Sequence, residues 1–408
     1  MTDVYLHVGL AKTGTTTIQA ALEASAGRLA AEGVLFPGAN HRAQRLAAYD
    51  LLGQRVGGEE RGQVAGALRR LLAEVTAHDG PPVVVSEEEL SLARPREVRR
   101  LVRRLDGHRV FVVVGVRDIA RTAVSAWQQT VVNGGTVSWQ DFIGSVRGEV
   151  DAPPSEGISF WWRHDVCRVI DTWASAVPAD RIRLVTVPPP GAGPGTLLER
   201  FGEAACLPEG WCGSHQAARN ASLGAAELEV VRRLNESVTG RLNTSQHRFV
   251  VEAGIRTRLV GTAGRSLRLP AEHWTWARAH GEALVVELEQ RGLAVHGDLA
   301  DLLPDRPSAP AADLDEVTDG ELLTAMQAAL TSLALDHGRL FRRYRRAFFE
   351  TEGRLPGPTE VLASQARAGS FHLRKWALHQ ADRHPLAARA SQAYVERTTR
   401  SRSPVIDR

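Results

Sequence analysis

Lysine is almost missing from this 408-residue chain: of its 50 basic residues only Lys12 and Lys375 are lysines. Arginine is the default cation, a bias that carries no function in itself but makes a retained lysine conspicuous. A lysine can give up a proton or fit a tight loop as a compact charge, and a guanidinium does neither. Lys375 is read as chance retention, which leaves Lys12. Cysteine is nearly as scarce. Cys167, Cys206 and Cys212 are too few for a disulfide framework, and their spacing fits no metal-ligand pattern. No metal site is expected. Long apolar runs are also lacking: the strand-like Val110–Val116 falls far short of the roughly 18–20 residues a membrane span needs. The opening Met1-Thr2-Asp3 enters an apolar strand pattern with no basic leader or cleavage site, so no signal peptide is expected. These absences predict a soluble, reduced, cytoplasmic protein.

Hydrophobic content of 43% and charged content of 24% are ordinary globular values and exclude a disordered or fibrous chain. The length predicts two domains. The net charge of +3 is unevenly spread, because residues 339–408 hold 15 Lys+Arg against 6 Asp+Glu, a net of +9 that leaves −6 for the rest. A basic tail on a mildly acidic body implies an anionic partner or, more commonly, a solvated helical face.

The hydrophobic pattern alternates strand and helix. A short strand over Val4–Val8 leads through the turn Gly9–Thr17 into helical periodicity at Ile18, Leu22 and Leu29. A helix is expected over Val64–Val75, a buried strand at Val83–Val85, a basic helix over Pro95–Leu105 and the strongest strand at Val110–Val116. A helix through Arg121, Val124 and Ser125 comes next, and another holding Val166, Ile170 and Trp173 precedes a strand at Ile182–Val187. This order predicts βαβ units and a parallel sheet. From Leu197 to about Leu303 the pattern reads as mostly helical. The expected fold is α/β, a three-layer core around a central parallel sheet in residues 1–303. A Pro/Ala-rich linker is expected at 304–313, and a basic helical region over 314–408 with helices at Leu314–Phe349 and Glu360–Thr398.

The chemistry sits at two strand ends. A strand, a glycine-containing turn and a helix start make an anion site, because backbone N–H groups converge and the helix dipole favours negative charge. Gly9-x4-Gly14 has the glycine spacing of a nucleoside-triphosphate loop, but Thr15-Thr16 follow where Lys-Ser/Thr would stand. The lysine instead lies inside the loop at Lys12, where it would stand beside the bridging atom of a shorter anhydride. At the second strand end, Arg117 is followed eight residues later by Ser125. A guanidinium fork and a hydroxyl so spaced can share one dianion.

Lys12-Thr13-Gly14-Thr15-Thr16 closely resembles the 5′-phosphosulfate loop of sulfotransferases that use 3′-phosphoadenosine 5′-phosphosulfate, with Ala11 in place of the family's proline. Arg117 and Ser125 match that family's 3′-phosphate pair. The run through Trp127, Gln128, Asn133-Gly134 and Ser138–Phe142 is similar to it as well. The resemblance spans residues 1 to about 305, its specific motifs lying in the first 145. It implies a P-loop-like core and the donor 3′-phosphoadenosine 5′-phosphosulfate, held by Lys12, Thr13, Gly14, Thr15, Thr16, Thr17, Arg117 and Ser125. It also implies in-line transfer of a sulfuryl group to a hydroxyl or amine of a carbohydrate, glycolipid or secondary-metabolite acceptor.

Ser86-Glu87-Glu88-Glu89-Leu90 resembles the Ser-x-Glu-x-Leu pattern of bacterial members, which makes Glu88 the expected catalytic base beside Lys12. Glu87 stays open as the alternative. His41, His164 and the pair Trp161-Trp162 are weaker candidates for an acceptor pocket and read more simply as surface or core residues. Asn220-x-Ser222-Leu223 resembles a recurring bacterial segment without an assigned role, and Gly261–Arg265 is only a faint counterpart of the family's C-terminal phosphate loop. Two rival readings remain: a small-molecule kinase, and a non-catalytic binding protein with a relic nucleotide loop and a basic tail. A homodimer is left open, and no nucleic acid beyond the donor nucleotide is expected as a partner.

Overall fold

Valine builds most of strands β2 (Val83–Ser86) and β3 (Arg109–Val116), and all but Arg109 of their residues are buried. Continuous β-branched runs of this kind suit strands covered on both faces. In the computed structural model, residues 2–54, 61–80, 82–149, 151, 154–193, 195–213, 223–256, 259, 267–304 and 317–352 are described. With β1 (Asp3–His7), β4 (Ile182–Thr186) and β5 (Ala294–His296), they form a five-stranded sheet in the order β2-β1-β3-β4-β5. Every pairing is parallel. Val4 lies opposite Val83 on one side and Val110 on the other.

Alternate residues of each strand serve opposite faces. Val4, Leu6, Val83, Val85, Val112, Val114 and Leu184 join one apolar cluster with helices His41–Leu52, Ala67–Ala77, Pro95–Arg104 and Val166–Ala174. Tyr5, Val84, Phe111, Val113 and Val185 join a second with helices Thr15–Ala31 and Thr196–Ala204. The fold is α/β with an all-parallel central sheet.

Two local outcomes differ from the sequence pattern. The helix expected over Val64–Val75 is divided into Arg61–Val64 and Ala67–Ala77, with Gly66 at φ 73° between them. The segment 197–303 is mostly helical, yet it also contributes β5, an edge strand held by the register Leu184–Val295.

Strand order fixes where a ligand can sit. The chain leaves β1 for β2 on one side, then returns past β1 to β3 and continues outward through β4. The switch point is the crevice at the carboxyl ends of β1 and β3, where open parallel sheets bind ligands.

The chain divides into two compact units, Met1–Ser332 and Leu333–Arg408. A helix occupies Asp319–Glu352. The expected linker after Pro304, the helix at Glu360–Thr398, Lys375, Asn220, Ser222 and Gly261–Arg265 lie outside the described residues. Among those described, no helix is long and apolar enough to cross a membrane.

Candidate functional site

The turn after β1 is shaped by its own backbone. Gly9 stands at φ 83°, and a side chain there would meet the Cβ of Glu88 at 3.0 Å, so glycine lets the two strand ends approach. Thr13 Oγ1 donates to the carbonyl of Leu10 at 2.6 Å, closing the turn. Lys12 takes φ 68°, a left-handed conformation that strains any residue but glycine. Gly14, at φ 85°, then starts helix Thr15–Ala31.

No side chain caps this 17-residue helix, and no acidic residue stands in its first turn. Its leading N–H groups face the switch point with the positive end of the helix dipole. The helix after β3, Ile119–Val132, is the opposite case: the Asp118 carboxylate accepts from the Arg121 N–H at 2.8 Å and closes that terminus. Of these two helix starts, only the one after Gly14 is open to an anion.

Arg117 reaches from the end of β3 to the turn. Its Nη1 donates to the Lys12 carbonyl at 3.0 Å and to Ser125 Oγ at 3.4 Å, so the spaced pair Arg117–Ser125 does converge. Its Nε is buried with no hydrogen-bond partner among the described residues. Burial, with Arg121 nearby, pushes its pKa down to about 10. The Asp118 carboxylate opposes that shift, but it is itself paired with Arg121.

Lys12 Nζ donates to Gln129 Oε1 at 2.7 Å. Burial lowers its pKa; Glu88 opposes the shift, while Arg117 and Arg256 reinforce it. Glu88 lies on the other side of the turn, with the Thr15 hydroxyl between it and the carbonyl of Leu10 (3.4 Å from the latter). Burial raises the Glu88 pKa, and Lys12 pulls it back.

Glu87 is placed differently. Its backbone N–H donates to the carbonyl of His7 at 2.9 Å, and its Oε1 accepts from the Glu89 N–H at 3.3 Å. Its side chain is 3% exposed, and burial pushes its pKa up to about 7, with Arg45 opposing. Buried Gln44 secures this strand end, accepting from the Ser86 N–H at 2.8 Å and donating to the Pro37 carbonyl at 2.9 Å. The structure therefore brings Lys12, Glu88, Arg117 and Ser125 to one place and sets Glu87 among other neighbours. The Thr13 and Thr15 hydroxyls are engaged in closing the turn, Thr16 is exposed and Thr17 half-buried.

The weaker candidates separate. His41 pairs with Glu23 at 2.8 Å on the surface. His164 is buried and lines a cavity of about 290 Å³ behind the turn, together with Ala11, Thr13, Arg117 and Trp161. Burial and neighbouring cations push its pKa down to about 3, so it is neutral. Trp161 donates to the Val146 carbonyl at 2.9 Å and packs on Phe160, while Trp162 is covered by the Arg168 guanidinium at 4.4 Å.

Three residues escaped the sequence reading. Gln129 carries the Lys12 ammonium. Arg163 lies close enough to Glu88 to favour its charged form. Arg256 ends a π-helix, Arg248–Arg256, beside Lys12, and its buried Nε has no partner among the described residues. Only Gln129 left a signal, because it follows Ser125 at the i, i+4 spacing that puts both on one helix face. Arg163 and Arg256 arrive from distant segments. Compared with family models, with curated proteins and with solved structures, the chain matches none.

Proposed function

We propose that this protein transfers a sulfuryl group from 3′-phosphoadenosine 5′-phosphosulfate to a hydroxyl or amine. One observation carries the reading: Arg117, its buried Nε without a partner among the described residues, is held between the Lys12 carbonyl and Ser125 Oγ at the switch point, next to an uncapped helix start. Two separate anion-seeking groups on adjoining strand ends suit a nucleotide with phosphate at both its 3′ and 5′ ends. Arg256, whose buried Nε also has no partner among the described residues, adds a second such cation beside Lys12.

The bound donor would supply the sulfuryl group. The leading backbone N–H groups at Thr15 and Thr16 would hold its 5′-phosphate, and Arg117 with Ser125 its 3′-phosphate, while the Thr17 N–H stays on the Gly14 carbonyl at 2.9 Å. Glu88, its basicity raised by burial, would take the proton from the acceptor hydroxyl as the new O–S bond forms. Lys12 would stabilise negative charge on the bridging oxygen as its bond to sulfur breaks and the nucleotide bisphosphate departs. Gln129 would aim the Lys12 ammonium.

Thermal-shift titration tests this against the kinase reading. Stabilisation by 3′-phosphoadenosine 5′-phosphate without magnesium, and little by ATP with magnesium, is the expected result. The reverse ranking would replace a sulfotransferase with a kinase, and no response to either would favour the relic loop.

A further inference from the structure

A cleft of about 460 Å³ opens at the far end of helix Ile119–Val132, within the size range of small-ligand sites. Its lining is chemically distinct. Amides from Asn133, Asn235 and Asn243 and hydroxyls from Thr239 and Thr244 line it, beside the aliphatic side chains of Val238 and Leu242. Its charges offset each other, Arg248 lying 3.6 Å from Glu252. Asn235, 1% exposed, fixes the floor: its Nδ2 donates to the carbonyls of Val131 at 2.7 Å and Gly135 at 2.9 Å, and its Oδ1 lies 2.9 Å from His247 Nε2.

The cleft is wired to the transfer site. Lys12 Nζ donates to Gln129 Oε1 at 2.7 Å, and Gln129 Nε2 donates to Asn133 Oδ1, also at 2.7 Å. The π-helix Arg248–Arg256 spans the same gap, with Arg248 and Glu252 on the cleft and Arg256 beside Lys12. π-Helical turns are frequent at functional sites.

We infer that this cleft binds the acceptor and that the acceptor is a neutral, polyhydroxylated molecule of the carbohydrate class. The inference rests on the sulfuryl-transfer reading for its link to chemistry. Amides and hydroxyls both donate and accept, as a ring of sugar hydroxyls requires. An anionic acceptor would meet Glu252 and find its one neighbouring arginine already paired. Asn235 is fully bonded within the protein, but an apolar metabolite would cover the Asn133 and Asn243 Nδ2 donors, which have no partner among the described residues, and that is unfavourable once water is displaced.

Saturation-transfer NMR on the protein saturated with 3′-phosphoadenosine 5′-phosphate tests the inference, with lactose, anionic lactobionate and aromatic 2-naphthol as probes. Thr244→Trp fills the exposed rim of the cleft, and calorimetry follows nucleotide affinity in parallel. Lactose should receive saturation more strongly than the other two, and Thr244→Trp should weaken its signal about fivefold or more while nucleotide affinity stays within about twofold. Nucleotide binding with no lactose signal, a stronger signal from lactobionate or 2-naphthol, or a lactose signal indifferent to Thr244→Trp would each overturn the inference and leave the donor reading standing. Lactose binding that Thr244→Trp abolishes, in a protein that ignores the nucleotide, would keep the sugar cleft and remove the donor.

Discussion

The guanidinium of Arg117 donates to the carbonyl oxygen of Lys12 across 3.0 Å, tying the end of β3 to the turn after β1. The same group reaches Ser125 Oγ at 3.4 Å. One side chain thus braces the peptide that carries the site's lysine and presents a cation at the switch point.

Arg117→Ala should lower affinity for 3′-phosphoadenosine 5′-phosphate about tenfold to a hundredfold, the worth of one or two charge-assisted hydrogen bonds. Ser125→Ala removes a neutral donor and should cost about fivefold. Calorimetry on the two variants checks the ranking. Equal losses would mean that the hydroxyl does more than share an anion with the arginine.

Lys12 gives a test that separates chemistry from folding. Its φ of 68° is strained for lysine and free for glycine. Lys12→Gly relieves strain of about 1 kcal/mol, while its looser unfolded chain takes back a similar amount. Denaturant unfolding should therefore put the variant within about 1 kcal/mol of the natural protein. Turnover should fall by about two to three orders of magnitude, as for loss of a group acting in the transition state. Lys12→Arg should fall almost as far, because the fork does not fit the turn against Gln129.

The two neighbouring glutamates should respond to pH in different ways. Glu87 has a folded-state pKa of about 7, raised from 4.5. A raised carboxyl pKa contributes stability that is present below pH 4.5 and lost as pH rises through 7. Glu87→Gln, which stays neutral, should match the natural protein in acid and become more stable by on the order of 3 kcal/mol above pH 7. Its turnover should change little. Glu88→Gln should instead suppress turnover and leave the pH dependence of unfolding closer to the natural one. Urea titrations from pH 4 to 8, run beside an activity assay, distinguish these outcomes.

Gly9→Ala should disturb the site from a distance. The added Cβ meets Glu88 Cβ at 3.0 Å and must hold φ 83°. A loss of stability of about 1–2 kcal/mol is expected. Turnover should fall further than nucleotide affinity does, since the displaced group is Glu88. Affinity and turnover falling in proportion would show that the turn itself had collapsed.

Much of the fold was legible because it is local. Val83–Val85 and Val110–Val116 announce buried strands by composition, and Gly9–Gly14 announces a turn by spacing. The edge strand β5 was not legible. Ala294–His296 is too short for any period to register, and it is a strand only because it pairs with β4. Helix His41–Leu52 is absent from the alternation of strand and helix read in the sequence, although its Gln44 secures the end of β2. The site divided in the same way. Lys12, Arg117 and Ser125 stand at strand ends or on the helix that follows, where spacing singles them out, and Glu88 is singled out by resemblance alone, with Glu87 as its alternative. Arg163 and Arg256 reach the site through tertiary packing, which no spacing encodes.

The central claim is that the switch point recognises a nucleotide by two separated phosphates. Isothermal calorimetry of the natural protein with 3′-phosphoadenosine 5′-phosphate and with adenosine 5′-phosphate tests it directly, because the ligands differ only in the phosphate assigned to Arg117 and Ser125. The account predicts tighter binding of the bisphosphate by about tenfold to a hundredfold, with the advantage removed by Arg117→Ala. Equal affinity for the two nucleotides would contradict it.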